Sequence, residues 1–279
     1  MFRGIAVALV SAVLLTGCAT MGQQSNAPAA TLVSDTHATA SLRTLPPPRQ
    51  PLDVAVYEFA DLTGQARPNP NFAESSRAVT QGGAQILVDV LTRAGDGQWF
   101  RIAERTGLRN LVQERTLIEN TNSAYGGVGP LPPIRFAGII LEGGIVGYDA
   151  DTMSGGAGAR YFGIGADTEY RSDTVTVNLR AVSVQNGEVL ASTTTTKQIY
   201  SYMNRAGAYV FAEPQRLLEI EAGMARNDPT QLAVREAIEL AVFSLVVEGL
   251  ERGLWDLRDS SAKATLVAAY NQQYTAPVQ

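Results

Sequence analysis

This chain of 279 residues has one thiol and one imidazole: Cys18 and His37. A zinc site draws three or four ligands mostly from His and Cys, and this pair cannot supply them. A Ser-His-Asp or Cys-His arrangement needs a histidine beside its nucleophile, yet His37 sits in a polar stretch near the N-terminus. An internal disulfide needs a second cysteine. The Gly-rich runs do not make phosphate loops either. Gly163-Ile164-Gly165-Ala166-Asp167-Thr168 has Thr where a dinucleotide fingerprint needs its third Gly, and no G-x-x-x-x-G-K-[ST] is present. Glu142, Asp149, Asp151, Asp167 and Glu169 lie close in sequence, but they read as solvated strand ends and turns rather than a hydrolytic pair. The expectation is a protein that is not an enzyme and carries no cofactor and no metal.

Cys18 has a different use. Arg3 supplies a positive n-region, and Ile5 to Leu15 is an eleven-residue apolar run, too short for a spanning helix of about 20 residues but suited to a secretory leader. Leu15-Thr16-Gly17-Cys18 follows and resembles the bacterial lipobox, in which the cysteine is acylated and becomes the first residue of the mature chain. Each buried acyl methylene contributes about 0.8 kcal/mol of membrane affinity. Ala19, in place of an Asp that would favour inner-membrane retention, points to the outer membrane.

These residues need elements to place them. Residues 18–50 are rich in Ala, Thr, Ser, Gln and Pro and read as a tether, with His37 solvated inside it. From Asp53 to Tyr148 strand and helix alternate, as an α/β domain requires. Asp53–Ala60 alternates as a strand, Ala78–Arg93 and Gly107–Ile118 have helical spacing, and Trp99–Ala103 and Gly138–Tyr148 read as strands. In the second helix Leu108, Leu111, Val112 and Ile118 share a side, which predicts burial. Between the first strand and first helix, Gly64–Phe72 is a Pro- and Asn-rich loop.

The pattern changes after Tyr148. Thr174–Val184 is a β-branched strand, Asn186-Gly187 is a hairpin signal, and Glu188–Tyr202 is a second long strand that Met203–Ala212 is expected to continue. Gln215–Glu221 reads as a strand or a short helix, and Gln231–Arg252 as a long helix behind Pro229. Within Ala157–Tyr170 one parity holds Phe162, Ile164, Ala166 and Tyr170, and the other Gly163, Gly165, Asp167 and Glu169. Tyr209 and Phe211 share a parity in the second segment. Apolar-out, polar-in alternation over about ten residues suits a membrane β-strand, with Phe162, Ile164, Tyr209 and Phe211 facing lipid; soluble hairpins alternate in the same way. Two such segments cannot close a barrel, and open edges are not tolerated in hydrocarbon. Membrane insertion therefore demands a ring of several chains. The net charge of −5 gives no basic surface for nucleic acid.

The residues reached here resemble the curli production assembly/transport component family (CsgG). The densest parts are Ser154-Gly155-Gly156, Gly158–Thr168, Gln215–Glu219 and Arg252–Leu257, with Asp61, Thr63-Gly64-Gln65 and Glu104-Arg105 also fitting. The resemblance implies an α+β fold: a periplasmic α/β domain with two transmembrane β-hairpin segments that build one large oligomeric barrel, nonameric in the family. The implied organisation is a signal peptide (1–17), an acylated tether (18–50), the first part of the periplasmic domain (51–151), hairpin 1 (152–172), periplasmic strands (173–201), hairpin 2 (202–222) and C-terminal helices (223–279). The implied function is diffusive secretion of unfolded curli subunits across the outer membrane. Partners would be further copies of the chain, curli subunits, periplasmic and surface accessory curli proteins, and outer-membrane lipid. The family's constriction of Tyr, Asn and Phe rings falls on Gly64–Phe72. Asn71 and Phe72 take the Asn and Phe places, while Asn69 stands at the Tyr place, so one aromatic ring is missing. The competing reading is a monomeric outer-membrane lipoprotein whose α/β domain docks and regulates a periplasmic partner.

Overall fold

A mixed sheet organises the chain because the sequence supplies two kinds of strand, one set linked through helices and one set linked by hairpins. The computed structural model describes residues 35–64, 79–127, 129–154, 169–204, 208–211 and 229–274. In chain order these form α1 (His37–Arg43), β1 (Leu52–Asp61), α2 (Gly83–Arg93), β2 (Phe100–Ala103), α3 (Leu108–Tyr125), β3 (Ile139–Ser154), β4 (Glu169–Ser183), β5 (Val189–Asn204), β6 (Ala208–Phe211), α4 (Pro229–Glu251) and α5 (Ala262–Tyr274). The sheet order is β2-β1-β3-β4-β5-β6. β1 runs parallel to β2 and β3, as helical crossovers require. From β3 onward every pairing is antiparallel. The fold is therefore α+β.

One face of β4 and β5 makes the core. Val175, Val177, Leu179 and Ala181 are buried with Ala191, Thr193 and Thr195, while Arg180, Ser192, Thr194 and Thr196 between them are exposed. This period of two is the mark of a sheet covered on one side. The cover is α4, whose Ala237, Ile238, Ala241, Val242, Leu245, Val246 and Leu250 are all buried. Each large apolar side chain taken out of water contributes about 1.5–3 kcal/mol. α4 is apolar almost all round because it also packs against α1, α2 and α5. It is tied to β5 by polar contacts: Thr195 Oγ1 donates to the Ala237 carbonyl at 2.7 Å, and Lys197 pairs with Glu236 at 3.0 Å. Among the described residues no helix is long and apolar enough to cross a membrane.

Three expectations change. Within the stretch read as a tether, residues 37–43 form α1, capped by a reciprocal Thr36–Thr39 capping box. Ala38, Thr39, Leu42 and Leu45 are buried, and His37 is exposed. The Pro-rich segment after it is also fixed: Trp99 Nε1 donates to the Pro46 carbonyl at 2.9 Å, and Pro48 bridges to Leu257. Small residues and prolines carry little hydrophobic pattern, so their packing partners in α4 are invisible in the local sequence. Second, β5 does not continue through Ala212. The chain reverses between Asn204 and Ala208, and β6 returns antiparallel along it. Third, α3 forms but buries none of its residues. Leu111 and Val112 of the expected apolar side are exposed, while Leu108 and Ile118 are half-buried. That side is therefore only partly covered among the described residues.

Candidate channel-forming elements

The elements that would carry a pore all leave the same end of the sheet. β3 and β4 pair from Ile139–Ser183 out to Ser154–Glu169. β4 and β5 pair out to Glu169–Met203, and Met203 pairs with Tyr209 of β6. Ser154, Glu169, Met203 and Tyr209 thus form one cross-strand row at the far edge. β3 and β5 have 16 residues and β4 has 15, which makes each about 50 Å long at roughly 3.3 Å per residue. The helix that packs on β4 and β5, α4, has 23 residues, about 35 Å at roughly 1.5 Å per residue. The strands are therefore longer than the helix that covers them.

The exposed face of the same strands is polar and hydrogen-bonded. Asn178 Nδ2 donates to Thr194 Oγ1 at 3.0 Å and to the Thr193 carbonyl at 3.2 Å. Thr176 and Thr196 hydroxyls lie 3.3 Å apart, and Arg180 pairs with Glu142 at 2.9 Å. Such a ladder suits a hydrated wall.

The Gly64–Phe72 loop leaves the C-terminal end of β1, parallel to β3 and hence toward that same end. Its departure point is stiff. A Cβ at Gly144 of β3 would lie 2.4 Å from the Ala60 carbonyl, and one at Gly83, where α2 begins, 2.6 Å from the Phe59 carbonyl. Only glycine allows these backbones to close up. Leu62 N donates to the Ile145 carbonyl at 2.8 Å. Asp61 then takes hydrogen bonds from both ends of the loop. Its Oδ1 accepts from Thr63 N at 3.0 Å and Thr63 Oγ1 at 2.6 Å, and its Oδ2 from Val79 N at 2.9 Å. Sequence reasoning gave Asp61 only as a match to the family. The Asp-x-Thr-Gly order at a strand end was the available local signal for a turn; the bond to Val79 had none.

Of the residues expected to act, Cys18, Asn69, Asn71, Phe72, Phe162 and Ile164 lie outside the described residues. Tyr209 and Phe211 fall in β6, where Tyr209 is opposite Met203 and Phe211 opposite Ser201; those two lie opposite Glu169 and Arg171.

Among the polar groups packed beneath the sheet, one stands out. Glu239 of α4 is almost fully buried at 1% exposure. It accepts from the Thr36 hydroxyl and pairs with Arg235 at 3.4 Å, which also pairs with Asp89 of α2. Burial pushes the Glu239 carboxyl up, against the Thr36 and Thr39 hydroxyls and Arg235, which pull it down. This group binds α1 to the core and has no path to chemistry.

The comparisons with known proteins agree in family. The family model described as curli production assembly/transport component CsgG matches residues 36–274. A protein of that description from Salmonella typhimurium is 41% identical over 275 residues, covering 96% of this chain and 97% of that protein. Its counterpart from Escherichia coli K12 is 43% identical over 261 residues, covering 91% and 92%. A solved PelC dodecamer from Paraburkholderia phytofirmans aligns at 17% identity and a TM-score of 0.30, covering 69% of this chain and 87% of that one, a likeness too small to bear on architecture or assembly. The family is a transport component and not an enzyme family. On a match that spans nearly the whole length of chain and relatives alike, this protein belongs to the curli production assembly/transport component CsgG family.

Proposed function

We propose that the protein is an outer-membrane channel that secretes unfolded curli subunits by diffusion, built as a ring in which each copy contributes two β-hairpins to one barrel. The observation that carries this reading is the common far edge. β3, β4 and β5 are longer than the helix that covers them, and with β6 they reach this edge in register, where the sequence-expected membrane segments 152–172 and 202–222 begin. Membrane strands must pair on both sides, and a single copy has two open edges, so insertion requires neighbours. The exposed part of α3's apolar side supports assembly as well, since another copy would cover Leu111 and Val112.

In this reading Cys18 carries the acyl anchor, and residues 51–151, 173–201 and 223–279 stand in the periplasm. Phe162 and Ile164 face lipid. Tyr209 and Phe211 face lipid with them, as the apolar-out set of a membrane strand. Asn69, Asn71 and Phe72 line the constriction. Their amides and aromatic faces offer weak, repeated contacts to a passing chain, as conduction requires. Curli subunits pass through, with periplasmic and surface accessory curli proteins at either mouth.

Planar-bilayer recording on detergent-extracted protein, with electron microscopy of the same particles, tests this. Discrete conductance steps from ring-shaped particles are expected. A monomer without conductance would instead favour the docking lipoprotein.

A further inference from the structure

We infer that Asn186 is a site of covalent self-modification: its side-chain amide converts to a carboxylate through attack by the Gly187 backbone nitrogen, at the exposed tip of the β4–β5 hairpin. The inference is independent of the pore reading.

The tip is closed by backbone hydrogen bonds. Ser183 N donates to the Glu188 carbonyl at 2.8 Å, and Gly187 N to the Ser183 carbonyl at 2.9 Å. Residues 184–188 are all exposed. Asn186 is the only asparagine in the chain that is followed by glycine. Gly187 has φ 73°, and the place of its missing Cβ has no atom within 4 Å beyond its chain neighbours. The described residues thus leave the Asn186–Gly187 peptide open to attack on that side. Asn186 folds its side chain over that link. Its Oδ1 accepts from Glu188 N at 3.1 Å, the Asx turn in which a side-chain amide stands in for a backbone carbonyl. The ring of atoms so closed contains both Asn186 Cγ and Gly187 N, which keeps the reacting pair together. The Glu188 N–H is also a fixed donor at the oxygen where negative charge develops. Asn186 Nδ2, the leaving nitrogen, is held as well: it donates to Glu188 Oε2 at 3.1 Å. One contact opposes the reaction, the bond from Gly187 N to Ser183. A net hydrogen bond of this kind is a factor of roughly two to ten, which slows the attack without stopping it.

In the step itself the bond from Gly187 N to Asn186 Cγ forms and the Cγ–Nδ2 bond breaks. Ammonia leaves with the proton from Gly187 N, and a succinimide ring remains. Water opens the ring at Cγ to give aspartate, or at the Asn186 main-chain carbonyl to give isoaspartate. The net change is amide plus water to acid plus ammonia, with nothing oxidised or reduced. Either product sets a carboxylate against Glu188 where the amide had donated to it, and isoaspartate adds a methylene to the backbone of the turn. The hairpin end of β4 and β5 loosens and each copy gains a negative charge.

The test is peptide mass spectrometry on the folded, full-length chain held in mildly alkaline buffer made with heavy-oxygen water, beside a sample kept in urea. The peptide carrying Asn186 should take up heavy oxygen ahead of those carrying Asn110, Asn178 and Asn271. It should yield isoaspartate as well as aspartate, since only the succinimide opens both ways. The rate in the folded chain should lie no more than about tenfold below that in urea, the most that the bond to Ser183 withholds. Aspartate without isoaspartate would mean direct hydrolysis of the amide and overturn the proposal. A folded rate lower than that limit would show that the turn protects Asn186, and would overturn it too. Asn186→Gln should remove the isoaspartate; its persistence would place the reaction at another residue. Gly187→Ala, compared with wild type in urea so that the strain of this turn plays no part, should slow the conversion by crowding the attacking nitrogen. An unchanged rate there would rule out Gly187 N as the nucleophile.

Discussion

The indole of Trp255 occupies the space that a side chain at Gly249 would need: a Cβ at residue 249 would lie 1.9 Å from Trp255 Cζ2. The chain turns back at the end of α4 so that Trp255 Nε1 donates to the Val246 carbonyl at 2.9 Å. The ring then covers the last turn of the helix on which the whole core is built. A tryptophan over a glycine is a close approach that only this residue pair permits.

Gly249→Ala should therefore destabilise the protein by about 1–3 kcal/mol, the usual cost of forcing extra volume into a packed site. Urea unfolding followed by Trp fluorescence measures it. In Trp255→Leu the alanine has room, so the two changes together should cost less than their sum. Strict additivity would show that the contact is not what limits residue 249.

Glu239 makes stability depend on pH in an unusual direction for a carboxyl group. Burial holds its folded-state value above the ordinary one, with Arg235 and the Thr36 and Thr39 hydroxyls opposing. The folded protein then binds this proton more tightly than the unfolded chain. The contribution of this group to stability grows as pH falls through the raised value, and is complete only below the ordinary glutamate value of about 4.3. It is lost again as pH rises. Glu239→Gln keeps an acceptor for Thr36 and removes the titration. The melting temperature of that variant should depend less on pH between mildly acidic and neutral buffer than that of the wild type. An unchanged pH slope would place the titration elsewhere.

Phe72→Ala should widen the constriction in every subunit at once. The expected rise in single-channel current is on the order of tens of per cent, since conduction follows pore diameter. Curli subunit export should change as well, without loss of the ring. Unchanged current would refute the placement of Phe72.

Cys18→Ser should leave the protein unacylated. Without acyl chains worth about 0.8 kcal/mol per buried methylene, less of it should fractionate with the outer membrane. Wild-type fractionation of the variant would show the lipobox reading to be wrong.

The long strands and helices were legible because their pattern is local. Thr174–Val184 alternates, and Val175, Val177, Leu179 and Ala181 are the residues that α4 covers. Gln231–Arg252 was expected as a helix behind Pro229, and α4 spans Pro229–Glu251. The switch from helix-linked to hairpin-linked strands after Tyr148 was also readable, and it becomes the switch from parallel to antiparallel pairing within one sheet. α1 was not legible. Ala38 and Leu42 are too few to make a periodic face, and they are buried only because α4, some two hundred residues away, comes to meet them.

From its residues alone this chain determined its class. One cysteine in a lipobox-like setting, one exposed histidine, alternating strands and a family resemblance pointed to transport rather than catalysis. Those properties depend on residue type and on near neighbours. The tertiary structure decided what depends on distant partners: that α3 forms with its apolar side only partly covered, that β6 turns back along β5, and that Asp61 holds Thr63 and Val79 together. Hydrogen bonds and packing between residues far apart in the chain leave no periodic trace in it. They exist only once the sheet has brought those residues to one end.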